Sequence, residues 1–225
     1  MFQMDLTERA ALHLARLKKL GYDVVASDDF AEIERLVQQT GKPFRSPMFD
    51  LRRNDFHKGQ AFWLFLVCDG EVIGGVAAKQ VALGAESFWN YMQRVSERQF
   101  DMDAPLRAMA APIGERVRGN LVYFGELHFA ERMRGRRSVL REHSRLAIVL
   151  AAMTWPDFDW MYALIPYEHR SLQDVYGFAM ITHHALTWCD PAPYLYRNDL
   201  AMVYSAKVDL LHQLAVGETD QPAKH

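Results

Sequence analysis

Residues 121–153 read LVYFGELHFAERMRGRRSVLREHSRLAIVLAAM, and three patterns follow one another along them. A first segment rich in aromatic and aliphatic side chains reads as a strand from Leu121 to Ala130. A basic run with Arg132, Arg134, Gly135, Arg136 and Arg137 comes next. Leu146, Val149, Leu150 and Met153 then recur at helical spacing, and Pro156 closes the segment. A strand that passes through a Gly-bearing basic turn into a helix leaves the first-turn N–H groups without intrahelical acceptors, at the positive end of the helix dipole. That is a cradle for phosphate or another anion.

Outward from this unit, the clearest signal is AFWLFLVCD followed by EVIGGVAAKQV, two strand-like runs pivoting on Asp69-Gly70. This dipeptide accepts the positive φ angles of a tight hairpin turn. Toward the N-terminus, Leu6, Ala10, Leu14, Leu17 and Leu20 trace a helix stopped by Gly21, and residues 22–26 read as a short strand. Ser27-Asp28-Asp29 then caps a second helix with Phe30, Ile33, Leu36 and Val37 on its apolar face. Residues 46–57 read as a short helix or a loop over the active face. In 82–120, Phe88, Tyr91, Met92 and Val95 mark a helix, while Pro105, Pro112, Gly114 and Gly119 mark irregular chain. Trp89 and Tyr91 there, exposed beside a pocket, would suit an apolar ligand. Toward the C-terminus, 159–166 is a strand, 169–176 is helical, and 178–188 and 199–206 are the final two strands. One strand–helix–strand unit favours a parallel pair, and the hairpin and final pair favour antiparallel edges. The expected fold is α/β, a mixed sheet with helices on both faces.

The run Arg132-Met133-Arg134-Gly135-Arg136-Arg137 resembles the Q/R-x-x-G-x-G/A turn of the GNAT superfamily of N-acetyltransferases, with Arg137 where the second small residue belongs. A register beginning at Arg134 fits the distance from the strand better and puts Arg137 and Val139 on both small-residue positions. The order of elements is also similar to that family's over residues 22–206. The helix of 1–21, the 82–120 insertion and a C-terminal helix and tail over 207–225 are then additions. Gln173-Asp174-Val175-Tyr176-Gly177-Phe178 resembles the family's Y-x-x-x-G-F segment, with Gln173 at the usual tyrosine position and the tyrosine displaced to Tyr176. The resemblance implies acetyl-CoA or another acyl-CoA as co-substrate, held at Arg132, Arg134, Gly135, Arg136, Arg137 and Ser138. It also implies pantetheine pairing with the main chain of Leu127, His128 and Phe129. An amine, on a small molecule or a peptide, would be the acceptor.

Amide formation from a thioester needs a base for the ammonium, donors for the carbonyl and, optionally, an acid for the thiolate. Glu126 is the first candidate base: strand alternation puts it with Phe124 and His128 on one face, opposite Leu127 and Phe129. A carboxylate amid such apolar neighbours is harder to keep charged than in water and could work near neutrality. The alternative is a structural ion pair with a nearby arginine. His128 is the second candidate base or a hydrogen-bonded strand residue. Tyr176 is the candidate acid or a packing partner of Phe178. His183-His184 could suggest a metal, but adjacent strand residues face opposite ways, and none is expected.

Gly125-Glu126-Leu127 with the basic run also has some likeness to acyl-homoserine lactone and N-acyl amino acid synthases, which implies acyl carrier protein as an alternative donor. Arg137 at a small-residue position and Gln173 at the tyrosine position leave a third reading, a binding module without catalysis. At 225 residues with a net charge of −2, the chain suits one large domain or one domain with an insertion and gives no electrostatic case for nucleic acid. Cys68 and Cys189 have no metal-ligand spacing, and no uncharged run reaches membrane-spanning length. A soluble cytoplasmic protein is expected, with a homodimer left open.

Overall fold

The computed structural model describes residues 2–169, 171–193 and 196–216. Its centre is a seven-stranded sheet assembled from β1 (Asp23–Ser27), β2 (Ala61–Cys68), β3 (Glu71–Ala82), β5 (Asn120–Phe129), β6 (Trp160–Pro166), β7 (Met180–Thr182) and β9 (Leu200–Ala206). The order across the sheet is β1-β2-β3-β5-β6-β9-β7. Among the described residues only β5 and β6 run parallel. The 121–153 segment supplies this pair's first strand and its connection, α5 (Arg137–Thr154). At the hairpin, Asp69 and Gly70 take φ values of 52° and 78°, the paired positive angles that a two-residue turn between twisted strands requires.

The sheet buries both faces. On one lie α5, α1 (Phe2–Lys19) and α7 (Lys207–Val216), with Leu146, Ile148 and Val149 packed against Leu64, Val122 and Phe124. Leu6, Ala10 and Leu17 of α1 join that core, but Leu14 and Leu20 are exposed. His13 takes the buried position between Ala10 and Leu17, with its Nδ1 2.7 Å from Glu142 Oε2 of α5. A 3.6-residue period allows either residue on the inner stripe, and the carboxylate across the interface favours the imidazole.

The other face is covered by α2 (Phe30–Gln39), a 3-10 turn at Pro47–Phe49, and α3 (Phe88–Phe100). Asp29 caps α2 by accepting from Ala31 N–H and Glu32 N–H. Tyr91 is buried and stacks on Phe88 rather than presenting itself to a pocket; Trp89 is half-buried.

Two expectations are corrected in this layer. The chain around Pro105 and Pro112 is ordered as β4 (Leu106–Met109) and α4 (Ala111–Arg116), with Pro112 in the helix's first turn, where its missing N–H breaks no helical bond. Residues 178–188 are not one strand. The chain turns at His184, which has φ +48°, so β7 joins the main sheet while β8 (Leu186–Trp188) pairs with β4 in a separate two-stranded sheet. The helical segment placed at 169–176 is shorter, α6 (Leu172–Tyr176), and the tail beyond Val216 lies outside the described residues. No helix among the described residues is long and apolar enough to cross a membrane.

The β3–β5 contact is close because β3 carries Gly74 and Gly75 there. A Cβ at Gly74 would sit 2.4 Å from the His128 carbonyl oxygen, which is backbone and cannot swing aside. Gly74→Ala is therefore expected to destabilise the fold by about 1–3 kcal/mol in urea unfolding. An unchanged midpoint would show that the two strands have slack.

Candidate active site

β5 and β6 are hydrogen-bonded partners only from Leu121↔Trp160 to Phe124↔Ala163. Beyond that, β5 runs on to Phe129 and β6 to Pro166 without pairing to each other. The ladder stops where β5 bulges: Gly125 lies opposite Ala77 and His128 opposite Gly75, so three steps on β5 match two on β3. The inserted residue is Glu126, held at φ +60°, a conformation that costs an L residue roughly 1–2 kcal/mol. Such a bulge bends its strand and re-aims side chains. Gly125 is part of the device, because a Cβ there would lie 2.7 Å from the Phe49 ring.

The bulge also resets the alternation read from the sequence. Phe124 packs in the α5-side core, as do Leu127 and Phe129. Glu126 and His128 instead face α2 and the 3-10 turn, with Trp63 and Phe65 beside them. The expectation that Glu126 and His128 share a face with Phe124 is thus wrong for Phe124, since one extra residue inverts strand parity.

Glu126 does not sit among purely apolar groups, and its partner is not an arginine. Its side chain is 2% exposed; Oε2 lies 2.7 Å from Lys42 Nζ, and Oε1 accepts from Ser46 N–H at 2.8 Å. Burial draws the Lys42 pKa below its ordinary value, Glu126 opposes this, and the Arg45 charge adds to the lowering. His128, half-buried nearby, is also drawn down, first by burial and then by the Lys42 charge. It therefore favours the neutral imidazole at neutral pH. Ser46 Oγ lies 3.2 Å from the Tyr196 hydroxyl, whose pKa burial pushes up to about 12. Lys42, Ser46 and Tyr196 escaped sequence reasoning. No local motif marks them, and Ser46 is 80 positions from Glu126.

Where the strands part, a cleft of about 680 Å³ opens. One wall is Leu127, His128, Phe129 and Ala130; another is Arg134, Gly135, Arg136 and Arg137 at the start of α5; Thr40-Gly41 and His169 complete the rim. Ala130 N–H donates across to Ile73 in β3, so backbone alternation turns the Phe129 N–H the other way, toward the opening. No side chain caps α5. Arg137 N–H turns back onto the Gly135 carbonyl at 2.9 Å, which leaves the first-turn amides of Ser138 and Val139 for an anion. Gly135 has φ +84° with open space beside it, and Arg137 is exposed where it lines the cleft.

The cleft gathers some of the sequence candidates and not others. Arg132 points to Glu71, 2.7 Å away, and does not line it. Arg134 is 3.3 Å from Glu131, with both side chains largely exposed. Ser138 is exposed in the first turn of α5. Tyr176 lies elsewhere: it is buried, stacked on Phe178 at 5.4 Å, and borders a separate cleft with Arg141, Arg145 and Leu210. Burial pushes its hydroxyl pKa up. His183 and His184 form the bend between β7 and β8 rather than part of a strand, and no cluster of three potential metal ligands occurs among the described residues.

One buried cation beneath the 3-10 turn was also missed. Lys79, in β3, donates to the Met48 carbonyl at 2.8 Å, with Phe49, Phe56 and Tyr123 ring centroids 5.5–5.8 Å away. Burial pulls its pKa down to about 7.

No family model and no curated protein matches the sequence. Solved structures do. An N-acyl amino acid synthase from uncultured soil microbes, FeeM, aligns with 12% identity and a TM-score of 0.48 over 88% of this chain and 98% of its own. An acyl-CoA N-acyltransferase from Pseudomonas aeruginosa aligns with 14% identity and a TM-score of 0.45 over 82% and 99%. NAA60 from Arabidopsis thaliana, solved with a bisubstrate analogue, aligns with 16% identity and a TM-score of 0.45 over 81% and 98%.

The Lys79 environment gives a signed expectation. Its folded pKa of about 7 lies below the ordinary 10.5, so between these values the unfolded chain binds more protons and stability rises with pH. Below about pH 7 the full penalty is present. Lys79→Met should therefore stabilise the protein by about 1–4 kcal/mol near pH 6, with the gain shrinking toward pH 10. Equal denaturation midpoints for parent and variant across that range would contradict this.

Proposed function

We propose that this chain is an N-acyltransferase that moves an acetyl or other acyl group from coenzyme A to an amine. The observation that carries the reading is the parting of β5 from β6 at the Glu126 bulge, with the uncapped, arginine-flanked start of α5 at the open end. Main-chain amides attract a diphosphate without needing a particular side chain, and Arg134, Arg136 and Arg137 add charge around them. The unpaired edge at 127–129 suits the amides of a pantetheine arm, which would lie along β5 as a strand would. This agrees with the element order and the basic turn from which the resemblance was drawn.

In this reading the thioester carbonyl lies near the bulge, and Glu126 accepts the proton of the incoming ammonium. The neutral amine then attacks the carbonyl carbon, the carbon–sulfur bond breaks, and the second proton on the nitrogen passes to the departing thiolate. His128, neutral and on the same face, is the second candidate base. Tyr176 is packed under Phe178 away from the cleft, so the thiolate leaves without its help.

The exposed guanidinium groups of Arg134, Arg136 and Arg137 also favour a second donor, an acyl group on the phosphopantetheine arm of an acidic carrier protein. Turnover with acyl-CoA and with acyl carrier protein separates the two donors. The amine acceptor belongs to this proposal only as a class.

Calorimetry with acetyl-CoA is expected to show binding that weakens about tenfold in the double variant Arg134→Ala/Arg136→Ala, and that weakens further with added salt. Absence of binding to any acyl-CoA would remove the reading. Glu126→Gln is expected to lower kcat by about 10²-fold or more while leaving acetyl-CoA affinity within a few-fold. If acyl-CoA binds, a broad amine panel gives no product and Glu126→Gln alters nothing, the chain is a binding module instead.

A further inference from the structure

The group nearest the candidate base is an amine of the protein itself. Lys42 follows the Thr40-Gly41 turn that rims the cleft, but its side chain turns inward and ends 2.7 Å from Glu126 Oε2. Lys42 and Glu126 border a small void whose other walls include Thr40 and His128, and those two residues also line the cleft. The Lys42 side chain is 11% exposed, so its amine is withdrawn from bulk solvent yet adjoins the cleft wall. A productive acceptor amine needs three things: contact with the base, a ready loss of its proton, and a position beside the thioester. Lys42 has the contact, and burial favours its neutral form. Lys42 does not itself line the cleft; Thr40 and His128, which line both spaces, are the wall its amine has to pass to reach the thioester.

We propose that Lys42 is an acyl acceptor in its own right, and that the protein acylates its own Lys42 Nζ from the acyl-CoA bound in the cleft. This rests on the acyl-CoA reading above. Glu126 takes a proton from the Lys42 ammonium, the freed lone pair attacks the thioester carbonyl carbon, a carbon–nitrogen bond forms and the carbon–sulfur bond breaks. The products are Nε-acyl-Lys42 and coenzyme A: the second proton on the nitrogen passes to the departing thiolate, and Glu126 releases the first to solvent. The amide is uncharged, so Glu126 loses its cationic partner. Modification thereby converts an ion-paired carboxylate into one free to receive a proton from a second, external amine.

The test uses the full chain incubated with acetyl-CoA, and separately with octanoyl-CoA, at two protein concentrations about tenfold apart. Intact mass and peptide mapping follow the acyl group, and calorimetry on the same preparation measures acyl-CoA binding. The expected result is a single acyl group on Lys42, acquired at a fractional rate independent of protein concentration, while the exposed Lys18, Lys19 and Lys58 remain unmodified. Lys42→Arg should abolish incorporation, and Glu126→Gln should slow it about 10²-fold. Acyl-CoA binding with Lys42 unmodified would overturn the proposal and leave the acyl-CoA reading intact. Modification of Lys42 no faster than of the three exposed lysines, or at a fractional rate proportional to protein concentration, would also overturn it. Absence of binding would instead remove the donor reading and this proposal together. The parent protein alone decides the matter should either variant fail to fold.

Discussion

One backbone irregularity sets the geometry of this molecule: a single extra residue, Glu126, held in the left-handed region within an inner strand of a seven-stranded sheet. The conformation costs a residue with a Cβ roughly 1–2 kcal/mol, so its surroundings must hold it there. One layer, the loop after α2 and the 3-10 turn that follows it, does so. Phe49 packs against Gly125, where a Cβ would collide, and Ser46 N–H and Lys42 Nζ bind the Glu126 carboxylate. The β5–β6 ladder ends one residue before the bulge begins, and the cleft lies beyond it. The opening between the parallel strands β5 and β6 and the aim of the buried carboxylate therefore have a common origin.

The layer over that face belongs to the same device. Lys42 and Ser46 come from the loop between α2 and the 3-10 turn, the turn supplies Phe49, and its Met48 carbonyl receives Lys79 from β3. A half-buried and a buried lysine thus lie in one small region, the first answered by a carboxylate and the second by a carbonyl and three ring faces. Neither is a plain hydrophobic solution. A buried charge without a carboxylate is destabilising relative to a methionine of similar length. In the proposed reading, Lys42 is retained for its chemistry. Lys79 ties the turn to the sheet, and the structure offers it no further role.

Much of the framework was legible in the residues. Asp69-Gly70 announced the hairpin, and the run from Leu121 through the basic turn to Met153 announced the strand, the turn and α5 in order. These signals are local: a turn dipeptide, a periodicity, a glycine between arginines. What stayed hidden was non-local. Nothing in Gly125-Glu126-Leu127 says that Glu126 bulges, because the cause is Phe49 and Lys42 far away in the chain, and so the side-chain parity of the second half of β5 was misread. The turn at His184 was hidden for a related reason. Each half of 178–188 has strand character, and only the pairing of Leu186–Trp188 with Leu106–Met109 divides them. Leu14 and Leu20 fit the apolar period of α1 but face solvent, displaced by a histidine whose carboxylate partner lies on another helix.

The central claim is that the parted strands and the start of α5 hold a thioester carrier by its diphosphate and its pantetheine arm. Diffraction from crystals soaked with coenzyme A tests it most directly. The account requires diphosphate density against the main-chain amides of the first turn of α5, next to Gly135, with the pantetheine arm running along Leu127 to Phe129 toward Glu126. Diphosphate density at a different surface, or an empty cleft at saturating coenzyme A, would contradict it.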